Sequence, residues 1–274
     1  MSGALIAYRW ELRKLAVEKR TWLGVAAAAL VPVIFVISIQ VSKITPGHGP
    51  YKTPLGPNLR HTGMAIDLVV LKLIASVGPT LVVALVAGDI VASEDMAGTL
   101  KTILVRSLSR GEILAGKALA LFAYVIAALG AYALAGLAAG ILAWGFHPMT
   151  NLSGHQLSAP RAFAFTLLAL VIYGVPVLAI ACFGLLLSVL TRQSVAAVAG
   201  TLLYVLCLQG LAALSAVAPI HPYLLVNQLT AWHDLFETPT AGAAIVRAVW
   251  VSAIYAALPL AVAVIVFRRR DVTT

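Results

Sequence analysis

Apolar runs alternate with short polar stretches along nearly the whole chain. A helix that crosses the hydrocarbon core of a bilayer needs about 20 predominantly apolar residues. Six runs meet that length, near Trp22–Val41, Leu68–Ala92, Ala118–Phe146, Phe163–Leu190, Val195–Val217 and Ala244–Phe267. The pattern predicts an all-α integral membrane fold with six transmembrane helices. The second run is the least regular, because only 16 uncharged residues separate Lys72 from Asp89. At 1.5 Å per residue they cover about 24 Å. Lys72 is therefore expected to snorkel outward, and Asp89 to sit at the inner boundary or inside protein. Pro32, Gly78-Pro79, Gly174, Pro176 and Pro259 loosen several of the helices, and Gly136 with Gly140 forms a small-residue contact motif.

Residues 1–21 have a different pattern. Arg9, Glu11, Arg13, Lys14, Glu18, Lys19 and Arg20 are spread through them, without the early apolar core of a secretory signal. Leu5, Tyr8, Leu12 and Leu15 form one apolar stripe at helical spacing, and Ile6, Trp10 and Val17 form a second. An amphipathic helix lying at the cytoplasmic interface is expected. Basic residues collect on one side of the six runs, at the N-terminal segment, at Lys101, Arg106, Arg110, Lys117 and Arg192, and in the triplet Arg268–Arg270. The excess of Lys and Arg in cytoplasmic segments places both termini inside. Residues 42–67, 147–162 and 218–243 then connect the spans on the outside. The first is rich in turn formers. The last carries Leu224, Leu225, Leu229, Trp232 and Phe236, and reads either as short helices on the outer leaflet or as an ordinary loop.

Composition narrows the class. Of 274 residues, 61% are hydrophobic and 11% charged, and mean hydropathy is +0.99. Soluble domains carry about 25% charge, so a water-soluble globule and a disordered chain are both excluded. The net charge of +9 reflects the flanks of membrane spans. No basic stripe interleaved with aromatics points to nucleic acid. Cys182 and Cys207 both fall in apolar runs and are expected as small buried packing residues, not as a disulfide or a zinc site.

Enzymatic chemistry finds little foothold. All six His residues fall in the predicted external connections, none at an i, i+4 metal spacing. Acids cluster only at Glu94-Asp95 and at Asp234 with Glu237, none at mid-membrane. No catalytic residue, cofactor site or metal site is expected. Residues 111–118, GEILAGKA, approach the phosphate-loop pattern, but Ala118 stands where a hydroxyl must meet Mg²⁺, and no strand precedes it. Ser109-x-x-Glu112 instead forms a capping box that opens a helix continuing into the third span.

The informative stretch is VAGDIVASEDMAGTLKTILVRSLSRGEILAGKALA, residues 86–120, on the inside between spans two and three. Gly98-Thr99 allows a turn with a hydroxyl cap, and Leu100 to Val105 can form two helical turns with Leu100, Ile103 and Leu104 as apolar knobs. From the residues alone this is either a docking peg for a cytosolic partner or a structural loop. Its succession of Glu94, Gly98-Thr99-Leu100, Ser109-Arg110-Gly111 and Gly116-Lys117 resembles permease subunits of ATP-binding-cassette exporters, in the type-2 exporter family. Leu108 departs from the resemblance, since many members have Pro before the Ser-Arg pair.

The resemblance implies that residues 1–274 form one transmembrane permease domain. Residues 1–21 would be its amphipathic elbow helix, and residues 93–112 a cytoplasmic coupling loop. It assigns a coupling role to Glu94, Gly98, Thr99, Leu100 and Arg110, alongside the knobs Ile103 and Leu104. It also implies two permease copies or homologues in the bacterial inner membrane, each docked on a separate ATPase that holds the ATP and Mg²⁺. Spans three to five have no charge in their central turns, which suits an apolar or amphiphilic cargo such as a drug, a peptide antibiotic or a lipid. The alternative is a stand-alone carrier or channel, which would need a titratable group at mid-membrane.

Overall fold

The computed structural model describes residues 3–41, 55–74, 77–98, 108–237 and 242–269. Helix α1 (Gly3–Val17) is followed after one residue by α2 (Lys19–Val41). Two short helices come next, α3 (Ala65–Ile74) and α4 (Gly78–Ala87), then the single turn α5 (Ala92–Met96). Long helices α6 (Arg110–Trp144) and α7 (Ala159–Thr191) are joined through a two-residue hairpin, β1 (Met149–Thr150) with β2 (Gln156–Leu157). Helix α8 (Ser194–Ala213), the one-turn α9 (Leu225–Gln228) and α10 (Ala243–Arg269) complete the chain. Among the described residues, five helices, α2, α6, α7, α8 and α10, are long and apolar enough to cross a membrane, and there is a sixth if the broken α3–α4 segment counts as one span. The protein is an all-α, multi-pass membrane protein.

The second apolar run is not one straight helix, as its length alone suggested. Its pieces, Ala65–Ile74 and Gly78–Met96, are bent by 71°. The reason is local: Pro79 lies in the first turn of α4, where its missing amide and fixed φ are tolerated. At 1.5 Å per residue the first piece covers about 15 Å and the second about 28 Å, so the first is too short to cross alone. Helix α3 is also walled in, because Ala65 through Leu71 are all buried among α2, α6 and α7.

The third run starts earlier than hydropathy indicated. The predicted capping box is formed: the Glu112 amide donates to Ser109 Oγ at 3.3 Å, and the Ser109 amide donates to Glu112 Oε2 at 2.8 Å. Satisfying two of the free amides at the helix start lets α6 begin at Arg110, eight residues before the apolar stretch.

The segment before α10 does contain short helices, including 3-10 turns at Ser215–Tyr223 and Ala231–Phe236. Its apolar residues turn inward. Leu225, Leu229, Trp232 and Phe236 are 0–1% exposed, packed under α7 and α10. Cys182 is buried as expected, whereas Cys207 is exposed, on a face of α8 that lipid would cover.

Helix α1 lies along α6. Ala7, Glu11 and Leu15 form its buried face, one turn apart, while Leu5, Ile6, Trp10 and Val17 point outward. The approach is close because residue 116 is glycine: a Cβ there would come within 2.8 Å of the Tyr8 backbone nitrogen. Only the first of the two predicted stripes therefore packs on protein, through Leu15 with half-buried Tyr8 and Leu12. The second stripe, Ile6, Trp10 and Val17, is exposed.

Candidate functional site

One end of the bundle gathers most of the buried charge. Helices α2, α6 and α8 begin there, and α5, α7 and α10 end there. Three acids that follow one another along the chain each meet a cation from a different element. Asp89, just past α4, pairs with Arg20 at the start of α2. Glu94, on α5, lies 2.8 Å from Lys14 of α1 and 2.7 Å from Lys117 of α6. Asp95 lies 3.9 Å from Arg192, in the turn between α7 and α8.

Lys117 is the centre of this cluster. Its side chain has no exposed surface. An ammonium has three donors, and here three acceptors come from two helices and the link between α4 and α5. They are Glu11 of α1 at 2.7 Å, Glu94 of α5 at 2.7 Å, and the Ile90 carbonyl at 3.0 Å. A buried charge is tolerated when it is paired and hydrogen-bonded, and Lys117 meets both conditions. For Lys14, burial works against the charged form, but the carboxylates of Glu94, Glu11 and Glu18 outweigh it and hold the pKa above the ordinary lysine value. A cavity of about 240 Å³ opens beside this cluster, lined by Trp10, Glu11, Lys14, Glu94, Leu108 and Ile113.

The link from α4 to α5 is pinned separately. Ser188 Oγ, on α7, accepts the amides of Val91 at 3.1 Å and Ala92 at 2.9 Å. Those amides sit at the start of α5 and have no partner inside it. Gly98 ends the segment with φ +67°, a left-handed turn that glycine adopts without strain.

Of the residues expected to couple to a partner, the structure places three. Glu94 is held between α1 and α6, Gly98 turns the chain out of α5, and Arg110 donates to the Arg268 carbonyl of α10 at 3.1 Å. Thr99, Leu100, Ile103 and Leu104 lie outside the described residues. Sequence reasoning singled out Glu94 but not its partners Lys14 and Lys117. The Gly116-Lys117 pair was the available signal: the glycine admits α1 and the lysine grips it.

A second feature was missed. Asp67, assigned from hydropathy to an external connection, lies inside α3 with no exposed surface. Neither carboxylate oxygen has a hydrogen-bond partner among the described residues. The side chain lies against Gly136 of α6, near Pro32 of α2, and the Asp67 carbonyl accepts the Tyr132 hydroxyl at 2.7 Å. An acid is thus present inside the bundle after all.

At the opposite end, the turn at 55–62, the hairpin and the segment before α10 are knitted together. Asn58 exchanges two hydrogen bonds of 2.8 Å with the Thr150 backbone, and the Leu152 amide donates to the Phe236 carbonyl at 2.8 Å. His233 sits in this layer beside Lys72 and Trp232. Burial first, and the Lys72 charge second, lower its pKa to about 4. No group of three or more His, Cys, Asp or Glu suited to a metal occurs among the described residues.

A helical membrane bundle with a charge-locked end is the class that fold and site define. Residues 28–273 match the model of a family described as a protein of unknown function, DUF2705, and the chain belongs to that family. No curated protein matches the chain.

Proposed function

We propose that this chain is the transmembrane permease subunit of an ATP-binding-cassette exporter. It would sit in the plasma membrane with both termini cytoplasmic, pair with a second copy or a homologue, and be driven by a separate ATP-hydrolysing subunit. The observation that carries the reading is the position of Glu94. It stands where the chain enters the inner loop, and Lys14 and Lys117 tie it to α1 and α6. A push on residues 93–112 would therefore move α1, the α4–α5 segment and α6 together instead of being absorbed by a slack loop. Coupling of this kind requires a partner that contacts the two states differently. The resemblance of residues 86–120 to exporter permeases supports the same reading, as do the outward apolar residues of α1, which suit an interfacial helix.

The test is copurification from the native membrane, followed by reconstitution. A cytosolic ATPase is expected to copurify, and Leu100→Pro is expected to leave ATP hydrolysis running while transport stops. Labelling of cysteines placed at 93–112 from the outside, or ATP-driven transport by this chain alone, would overturn the proposal.

A second reading, a stand-alone carrier, draws on Asp67, since an ionisable group inside a membrane bundle is commonly part of an ion or substrate path. It requires uptake driven by an ion gradient in vesicles that contain only this chain.

A further inference from the structure

Between α2, α4, α6 and α7 lies an apolar cavity of about 170 Å³ that reaches the break between α3 and α4. Val31, Leu71, Gly78, Val82 and Leu129 line it, and Tyr132 is the one aromatic residue in its wall. Asp67 is not itself in this wall, but it neighbours wall residues at three points. It stands one helical turn before Leu71 on α3. Its carbonyl accepts the hydroxyl of Tyr132. Its carboxylate lies against Gly136, one turn beyond Tyr132, and close to Pro32, the neighbour of Val31.

Among the described residues the carboxylate has no compensating charge. Lys72, five residues along α3, lines a different recess with Trp232 and His233, and no salt bridge to Asp67 occurs among the described residues. Burying an unpaired carboxylate in a membrane bundle is costly, so a ligand that brings a positive charge is favoured there. The apolar walls would match a hydrocarbon body, and the face of Tyr132 would add a cation–π contribution. A hard metal ion fits poorly, because it needs six or more oxygen ligands and the cavity walls offer almost none. Broken helices are recurrent places for substrate sites in membrane transporters, and this cavity abuts one.

We propose that the cavity binds an amphiphilic organic cation with Asp67 as its counter-ion. That the bound cation is cargo rests on the permease reading; that it binds does not. The test uses the purified full-length chain in detergent, with equilibrium binding of phenyltrimethylammonium and of tert-butylbenzene, its neutral counterpart of the same shape. The cation is expected to bind saturably and about tenfold tighter than the neutral compound, a difference of about 1.4 kcal/mol. Asp67→Asn should erase that preference while leaving tert-butylbenzene binding unchanged. Val82→Trp, which fills the cavity, should weaken both. Equal affinity of the wild type for the two compounds, no saturable binding of the cation, or cation binding undiminished by either substitution overturns the proposal. The comparison of the two compounds on the wild type stands even if a variant fails to fold. Absence of a copurifying ATPase would defeat the permease reading and leave this result untouched.

Discussion

The ammonium of Lys117 and the carboxylate of Glu94 lie 2.7 Å apart in the protein interior, which joins the start of the third apolar run to the end of the second. The pair matters because it lies at the root of the connection between α5 and α6 and because its removal is not neutral. Lys117→Met would leave Glu11 and Glu94 buried without their shared cation. Breaking a buried pair from one side costs about 3–5 kcal/mol. The thermal midpoint in detergent is expected to fall sharply for Lys117→Met, and to recover largely in the triple variant Glu11→Gln, Glu94→Gln, Lys117→Met. A triple variant no more stable than the single one would mean that Lys117 acts through packing alone.

Glycines in α6 should differ in their tolerance of a methyl group. Gly140 meets Gly63 backbone to backbone, and a Cβ at 140 would fall within 3.0 Å of the Gly63 carbonyl carbon and 2.9 Å of Ile66 Cγ2. Gly130 has nothing within 4 Å of the same position. Gly140→Ala should lower the melting temperature, whereas Gly130→Ala should raise it or leave it unchanged, since Ala is favoured over Gly in helices by about 1 kcal/mol. Equal effects at the two positions would contradict the close approach of α3 to α6.

Stability should depend on acid through His233. Its pKa in the folded protein is about 4, below the value near 6.5 of an unfolded chain. Between those values the unfolded state binds more protons. The contribution is complete above pH 6.5 and is lost as pH falls towards 4, by at most about 3 kcal/mol. Melting curves from pH 7.5 to 4.5 should show a steeper loss for the wild type than for His233→Asn. Parallel pH profiles for the two proteins would remove His233 from the account.

Ser188→Ala should detach the start of α5. The Val91 and Ala92 amides would lose their acceptor in a buried setting, and each unpaired buried group costs about 1–3 kcal/mol. Hydrogen exchange at residues 90–96 is expected to accelerate, with the long helices little changed. Unchanged exchange there would show that the amides find another acceptor.

The sequence by itself determined the class of this protein and much of its layout. The need for about 20 apolar residues per crossing is read directly from composition along the chain. Capping at Ser109 and Glu112 depends on neighbours three residues apart, so it too was visible. The stripe through Tyr8, Leu12 and Leu15 followed from the helical period. The tertiary structure decided what periodicity cannot carry. Asp67 reads as loop in one dimension, because a lone acid beside an apolar run carries no sign of whether water or a neighbouring helix covers it. Lys117 reads as a flanking charge until Glu11 and Glu94, from segments far apart in the chain, close around it. The inward turn of Trp232 and Phe236 depends on the space left between α7 and α10. Hydropathy is a property of each residue, whereas the pairing of charges and the filling of gaps belong to residues brought together from different helices, and only the packed bundle specifies those.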